Sequence, residues 1–127
     1  MDLKKFIRSI PDYPKKGILF RDITTLIKDE KAFEETINQI VERSKKFSFT
    51  KIAAIESRGF VFASAVSFVL NKPFIMLRKK NKLPADVHSV DFELEYGTAT
   101  IEVHKDSINE KDEVLIIDDL IATGGTA

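Results

Sequence analysis

The stretch VLIIDDLIATGGTA, residues 114 to 127, restricts the fold more than any other part of the chain. Four apolar residues in succession, Val114 to Ile117, read as a central strand covered on both faces, since a strand with one wet face would alternate apolar and polar side chains. Such strands belong to sheets with helices packed on both sides. Two aspartates follow at once, then Thr123, Gly124, Gly125 and Thr126, so polar groups gather at the carboxyl end of the strand. Open α/β sheets bind their ligands at that end.

The acids and the glycines suit different halves of one ligand. Gly124 and Gly125 let the backbone turn tightly with its N–H groups pointing inward, and Thr123 and Thr126 add hydroxyl donors, a nest for a phosphate monoester. Asp118 and Asp119 repel phosphate and suit sugar hydroxyls or a bound cation. A phosphorylated sugar satisfies both halves. The lysine and glycine spacing of a P-loop nucleotide site is missing.

Upstream, the elements alternate in kind. Asp29 is a plausible N-cap for an amphipathic helix in which Phe33, Ile37, Ile40, Val41 and Ser44 recur at helical spacing. Lys51 to Glu56 reads as a short buried strand, Gly59 to Asn71 as a helix and Pro73 to Leu77 as a second strand, which together suggest a parallel βαβ unit. From Val90 to Val103 the apolar positions alternate on either side of Gly97, as two strands with a bend at Gly97-Thr98 would require. The polar run Glu56-Ser57-Arg58-Gly59 also follows a strand, so it shares a rim with Asp118 and Asp119.

The 127 residues, 43% of them hydrophobic and ten of them Phe, can build the core of one domain. Twenty basic residues balance twenty acidic ones, which argues against nucleic acid or a membrane surface as partner and for a small molecule. Cysteine is absent, the amino-terminal residues lack the apolar core of a signal peptide, and the most apolar stretch, 60–70, is too short to span a bilayer. A cytoplasmic protein is expected.

Residues 114–127 resemble the phosphoribosyl-pyrophosphate-binding signature of the type I phosphoribosyltransferases. Three further stretches narrow the resemblance to the adenine-specific members. They are Ile10-Pro11-Asp12-Tyr13-Pro14 with Gly17 to Thr24; Glu56-Ser57-Arg58-Gly59-Phe60; and Arg78-Lys79 through Lys82-Leu83-Pro84 to Leu94-Glu95-Tyr96-Gly97. The implied fold is a twisted, mostly parallel sheet flanked by helices, Rossmann-like, with an antiparallel hairpin and a flexible loop. The implied reaction converts adenine and phosphoribosyl pyrophosphate to AMP and pyrophosphate, with Mg2+ as cofactor, in a cytoplasmic homodimer.

Residue roles follow from the resemblance. Asp118 and Asp119 would hold the ribose hydroxyls, with the magnesium nearby, and the backbone from Ala122 through Thr123, Gly124, Gly125 and Thr126 would hold the 5′-phosphate. Arg58 would meet the pyrophosphate, assisted by Arg78, Lys79 and Lys82 from a mobile loop, with a cis non-proline peptide expected near Glu56-Ser57. Phe20 would stack on the purine while Leu19 and Arg21 read its hydrogen-bonding edge. Glu95 would handle the proton displaced from the ring nitrogen.

By pattern alone, Arg58 equally suits a pairing with a carboxylate, the lysines a solvated loop, Ile18-Leu19-Phe20 ordinary core and Glu95 a solvent-facing strand position. His88 and His104 fit no triad or metal spacing and read as surface or strand histidines. The segment 81–90 reads as a lid, although Asn81 and Ala85 stand where many relatives have glycine.

Relatives continue past the signature with a helix and further strand and helical structure, so the chain is expected to be one phosphoribosyltransferase domain, 1–127, lacking its C-terminal elements. Transfer to another base, orotate or xanthine, and a non-catalytic donor-binding fragment are the alternative readings.

Overall fold

A computed structural model describes residues 1–94 and 97–120. The chain divides into two compact units, Met1–Ser44 and Lys45–Ala127.

The first unit is built on a small hairpin. Strand β1 (Arg8–Ile10) pairs antiparallel with β2 (Phe20–Asp22), placing Arg8 opposite Asp22. The connecting loop carries a cis Tyr13-Pro14 bond and is drawn together where Tyr13 N–H donates to the Ile18 carbonyl at 3.0 Å. Asp22 is 6% exposed and fully engaged. It pairs with the Arg8 guanidinium, and its Oδ1 accepts both the backbone N–H of Thr24 at 2.9 Å and the Thr24 hydroxyl at 2.7 Å. The acid thereby ties the hairpin to the start of α1 (Thr24–Ile27).

Helix α2 (Glu30–Ser44) follows. The expected cap is present, since Ala32 N–H donates to Asp29 Oδ1 at 2.8 Å and so satisfies one of the amide donors a helix start leaves unpaired. Ala32, Ile37 and Ser44 are the helix's buried positions. Ser44 is tolerated there because its hydroxyl donates to the Val41 carbonyl at 2.7 Å.

The second unit holds the expected βαβ crossover. Strand β3 (Lys51–Ile55) is buried from Ile52 to Ile55, and α3 (Arg58–Leu70) carries the chain to β4 (Phe74–Lys79), which pairs parallel to β3 with Ile52 opposite Phe74 and Ile55 opposite Leu77. Gly59, Phe62, Ala63 and Val66 form much of the buried side of α3, and Ile52 and Val66 are the largest side chains entirely removed from water. Asn71 stops the helix in the left-handed conformation at φ 54°, its N–H returning to the carbonyls of Ser67 and Phe68.

Strands β5 (Val87–Leu94) and β6 (Gly97–His104) pair antiparallel, and β6 joins the outer side of β4 with Glu102 opposite Arg78. Gly97 has φ 106°, a conformation that explains glycine at the expected bend. Strand β7 (Val114–Ile116) pairs parallel to β3 on its other side, giving a five-stranded mixed sheet in the order β5-β6-β4-β3-β7. Parallel core and antiparallel hairpin are thus joined in one sheet.

One expectation needs correcting. Among the described residues β7 is the edge strand rather than a covered central one, with Val114 36% and Ile116 43% exposed while Ile117 is buried.

Candidate active site

Because β3 and β7 run parallel, their carboxyl ends emerge side by side. The ladder is extended by Ile117 N–H donating to the Ala53 carbonyl at 3.0 Å, so Asp118 and Asp119 leave the sheet next to the chain reversal that starts α3. The two polar runs therefore share a rim, as their sequence positions suggest. At the reversal the Glu56-Ser57 peptide is cis, as the resemblance implies, and Ser57 gives α3 no side-chain cap.

Gly59 accounts for how closely the two runs approach. A Cβ at this position would lie 2.8 Å from Asp118 Oδ1, 3.3 Å from the Ile117 carbonyl oxygen and 3.5 Å from the Ala54 Cβ. Only glycine lets the first turn of α3 rest on the acids without displacing them.

The acids themselves are crowded. Arg58 Nε lies 3.1 Å from Asp119 Oδ2, with the arginine side chain 45% exposed and the aspartate side chain 6% exposed. The backbone N–H of Asp119 donates to Asp118 Oδ1 at 2.8 Å, which brings that oxygen back toward its neighbour. Burial, followed by the contact with Asp118, pushes the Asp119 carboxyl above the usual carboxylate range, and the Arg58 charge only partly opposes this. Adjacent carboxylates with a guanidinium at their edge favour a ligand that brings hydrogen-bond donors to the acids and negative charge to the arginine. A phosphorylated sugar with an anionic leaving group has that form.

A second acid was not singled out by sequence. Glu56 Oε1 accepts the backbone N–H of Lys79 at 2.5 Å and lies 3.4 Å from Arg78 Nε, an ion pair without hydrogen-bond geometry. Glu56 N–H in turn donates to the Leu77 carbonyl at 2.9 Å. The end of β4, where Arg78 and Lys79 stand, is thus tied to the same reversal that carries Arg58. Lys79 and Lys82 are exposed beyond it. The only sequence signal for Glu56 was its membership of the Glu-Ser-Arg-Gly run.

Other expected residues lie in the first unit or outside the described residues. Leu19, Phe20 and Arg21 belong to the first unit, at β2. Phe20 is half-buried with the Tyr13 ring edge-on to it, centroids 5.1 Å apart at 72°, while Leu19 is 51% exposed and Arg21 Nη1 donates to Ser9 Oγ. Glu95 and the run Ala122, Thr123, Gly124, Gly125, Thr126 lie outside the described residues. His104, read as an unremarkable strand histidine, accepts the Ala85 N–H through Nε2 at 3.3 Å. Asn81 adopts φ 66°, which answers the departure from glycine there, because asparagine enters the left-handed region more readily than other side-chain-bearing residues.

Acids and basic groups gathered at the strand ends of a mixed α/β sheet suit a protein that handles a phosphorylated sugar. The sequence profile of the phosphoribosyl transferase domain matches residues 23–127. The chain is 83% identical over 127 residues to the adenine phosphoribosyltransferase of Pelagibacter ubique, covering all of this chain and 73% of that protein. Among solved structures, the adenine phosphoribosyltransferase of Thermoanaerobacter pseudethanolicus superposes with a TM-score of 0.95 at 48% identity, covering 98% of this chain and 73% of that one. The Giardia lamblia enzyme complexed with 9-deazaadenine gives 0.91 at 40% identity, covering 98% and 70%. The chain belongs to the phosphoribosyltransferase family, and within it to the adenine phosphoribosyltransferases. Its reaction joins adenine to the 5-phosphoribosyl group of phosphoribosyl pyrophosphate, giving AMP and pyrophosphate.

Proposed function

We propose a division of labour among the residues of this enzyme. Asp118 and Asp119 grip the ribose hydroxyls, and the backbone of Ala122 to Thr126 takes the 5′-phosphate. Arg58, Arg78, Lys79 and Lys82 neutralise the departing pyrophosphate. Phe20 stacks on adenine, the backbone of Leu19 and Arg21 reads its edge, and Glu95 manages the proton of the attacking ring nitrogen. The observation that supports the sugar and pyrophosphate assignments is the Arg58–Asp119 contact beside Asp118 and Gly59 at the ends of β3 and β7.

Chemically, breaking the anomeric C–O bond builds positive charge on the sugar, as in other glycosyl transfers. No nucleophilic side chain is required. Two acids near the ribose favour that charge while their hydrogen bonds fix the sugar in line with the base. Guanidinium and ammonium groups stabilise the negative charge accumulating on the leaving group. Glu56 contributes indirectly, by holding the start of the basic loop.

Magnesium belongs to the donor complex. Among the described residues no group of three or more His, Cys, Asp and Glu is arranged to hold a metal, but Asp118 and Asp119 offer the hard oxygen donors that suit a cation bound chiefly by diphosphate and sugar oxygens. The ion would neutralise pyrophosphate charge there.

Among the described residues no helix is long and apolar enough to cross a membrane. A cytoplasmic homodimer, with 1–127 as part of one domain, completes the proposal; the family match runs across the division between the two units. Pyrophosphate release on mixing the donor and Mg2+ with adenine, but not with orotate, hypoxanthine or xanthine, tests the base assignment. Equal release with hypoxanthine would refute the adenine preference.

A further inference from the structure

One buried carboxylate has no part in the chemistry above. Glu102, on β6, is 7% exposed. Its Oε1 accepts the backbone N–H of Asn81 at 2.8 Å and its Oε2 accepts the Ser89 hydroxyl at 2.8 Å. Asn81 lies in the connection from β4 to β5, whereas Ser89 faces Glu102 across the β5–β6 ladder, so the carboxylate ties the start of the loop to the hairpin. Two residues further along the same face of β6, His104 Nε2 takes the Ala85 N–H in the middle of the loop, and beside it Lys105 N–H donates to the Asp86 carbonyl at 2.9 Å.

A sheet does not need this arrangement. The β4, β5 and β6 ladders are made by backbone groups, and a buried acid is costly unless it is fully bonded, so an apolar or small side chain at 102 would serve the hairpin as well or better. What the carboxylate adds is a fixed path for the loop. The hydrogen bonds from Asn81 first, then Ser89, hold its pKa below the usual carboxylate range, so it stays a charged, strong acceptor at neutral pH. The loop it fastens begins directly after Arg78 and Lys79 and carries Lys82.

We infer that Glu102 is a positioning residue for the transfer reaction: by fastening Asn81, at the start of the loop, to the β5–β6 hairpin it holds the shape that presents Lys79 and Lys82 to pyrophosphate, with His104 steadying the loop's middle. The inference rests on the assignment of those lysines to pyrophosphate proposed above. Glu102 touches no substrate, so its removal should weaken pyrophosphate binding while leaving AMP, which lacks that group, almost unaffected.

Calorimetric titration of the 127-residue chain with Mg2+-pyrophosphate and, separately, with AMP tests this. Glu102→Ala should weaken pyrophosphate binding about tenfold or more, the loss expected for hydrogen bonds to a charged acceptor, with AMP affinity within about twofold. Glu102→Gln, whose amide oxygen still accepts the Asn81 N–H, should recover most of the loss. Unchanged pyrophosphate affinity in Glu102→Ala, or an equal loss for both ligands, would overturn the inference.

Should Glu102→Ala fail to fold, Ser89→Ala decides. It removes one of the two hydrogen bonds that hold the carboxylate, and a loss of about threefold for pyrophosphate alone is expected, while no loss overturns the inference. The double variant Lys79→Ala/Lys82→Ala separates the two levels. If it binds pyrophosphate as tightly as the parent, the lysine assignment itself fails; if it binds weakly while Glu102→Ala binds normally, only the role of Glu102 fails.

Discussion

Two aspartates, each placed at the carboxyl end of a strand, show how differently the two units use the same side chain. Asp22 ends β2 with its donors supplied by the fold: the Arg8 guanidinium, the Thr24 amide and the Thr24 hydroxyl. Led by the Thr24 hydroxyl, those bonds hold its pKa at about 2. Asp119 follows β7 with its side chain at least as deeply covered, but it lies against another carboxylate and a half-exposed guanidinium, and its pKa moves up instead. The first acid is finished by the protein. The second is crowded by a like charge, which sugar hydroxyls donating to it can relieve.

Exchange of the two acids for their amides should pull this contrast apart. Asp119→Asn should weaken AMP binding on the order of 10- to 100-fold, the scale of losing charge-assisted hydrogen bonds to the ribose, while the melting temperature holds or rises because a buried like-charge contact is relieved. Titration calorimetry and a thermal melt on one sample read both. A large fall in melting temperature without loss of AMP affinity would make Asp119 a structural acid like Asp22.

Gly59→Ala attacks the same cluster from the α3 side. Its new Cβ would sit 2.8 Å from Asp118 Oδ1 and 3.3 Å from the backbone oxygen of Ile117, so one of them has to move. A destabilisation of about 1–3 kcal/mol is expected, the usual cost of overpacking, together with weaker AMP binding as Asp118 is displaced. Chemical denaturation beside AMP titration checks it, and an unchanged pair of values would mean that the close approach is unimportant.

Asp22→Asn is the opposite case. Stability should fall, since the Arg8 and Thr24 donors lose their charged acceptor, with AMP affinity unchanged. A normal melting temperature in this variant would break the contrast from the other side.

The smallest effect is in the pH dependence, where the signs should differ. Asp22 has a folded pKa of about 2 against an ordinary 3.8, so its contribution is fully present above 3.8 and is lost as pH falls toward 2. Asp119 has a raised folded pKa, so the folded state holds that proton more tightly, and its ionisation costs stability as pH rises from 3.8 through the folded value. Denaturation curves of the parent, Asp22→Asn and Asp119→Asn from pH 2 upward should show the first variant losing the acid-side slope and the second losing the opposing one.

The parts of the fold that sequence revealed are those with a local signature. Asp29 and the spacing of Ile37 and Ser44 located α2, the apolar run before Glu56 located β3, and Gly97 located the hairpin bend. The shared rim of Arg58 with Asp118 and Asp119 was legible because parallel strands put both following runs at one end.

The βαβ pairing and the hairpin at Gly97 were legible, but the place of β7 in the sheet was not. The apolar run from Val114 to Ile117 looks central by composition, yet β7 lies at an edge among the described residues. Glu102 was invisible for a related reason. It sits on the polar side of an alternating strand, and only the packing of the β4 to β5 connection over that side removes it from water. Glu56 likewise gained its role from the parallel register that brings Lys79 beside it.

The central claim is that burial and the adjacent Asp118 keep the Asp119 carboxyl poised for the donors a ribose brings. Carbon-13 chemical-shift titration of the aspartate carboxyls, without and with saturating AMP, measures this directly. Free enzyme should show Asp119 titrating above the ordinary carboxylate value, and AMP should lower that pKa as its hydroxyls donate to the ionised acid. An Asp119 that titrates at or below 3.8 without ligand, or whose pKa is unmoved by AMP, would contradict it.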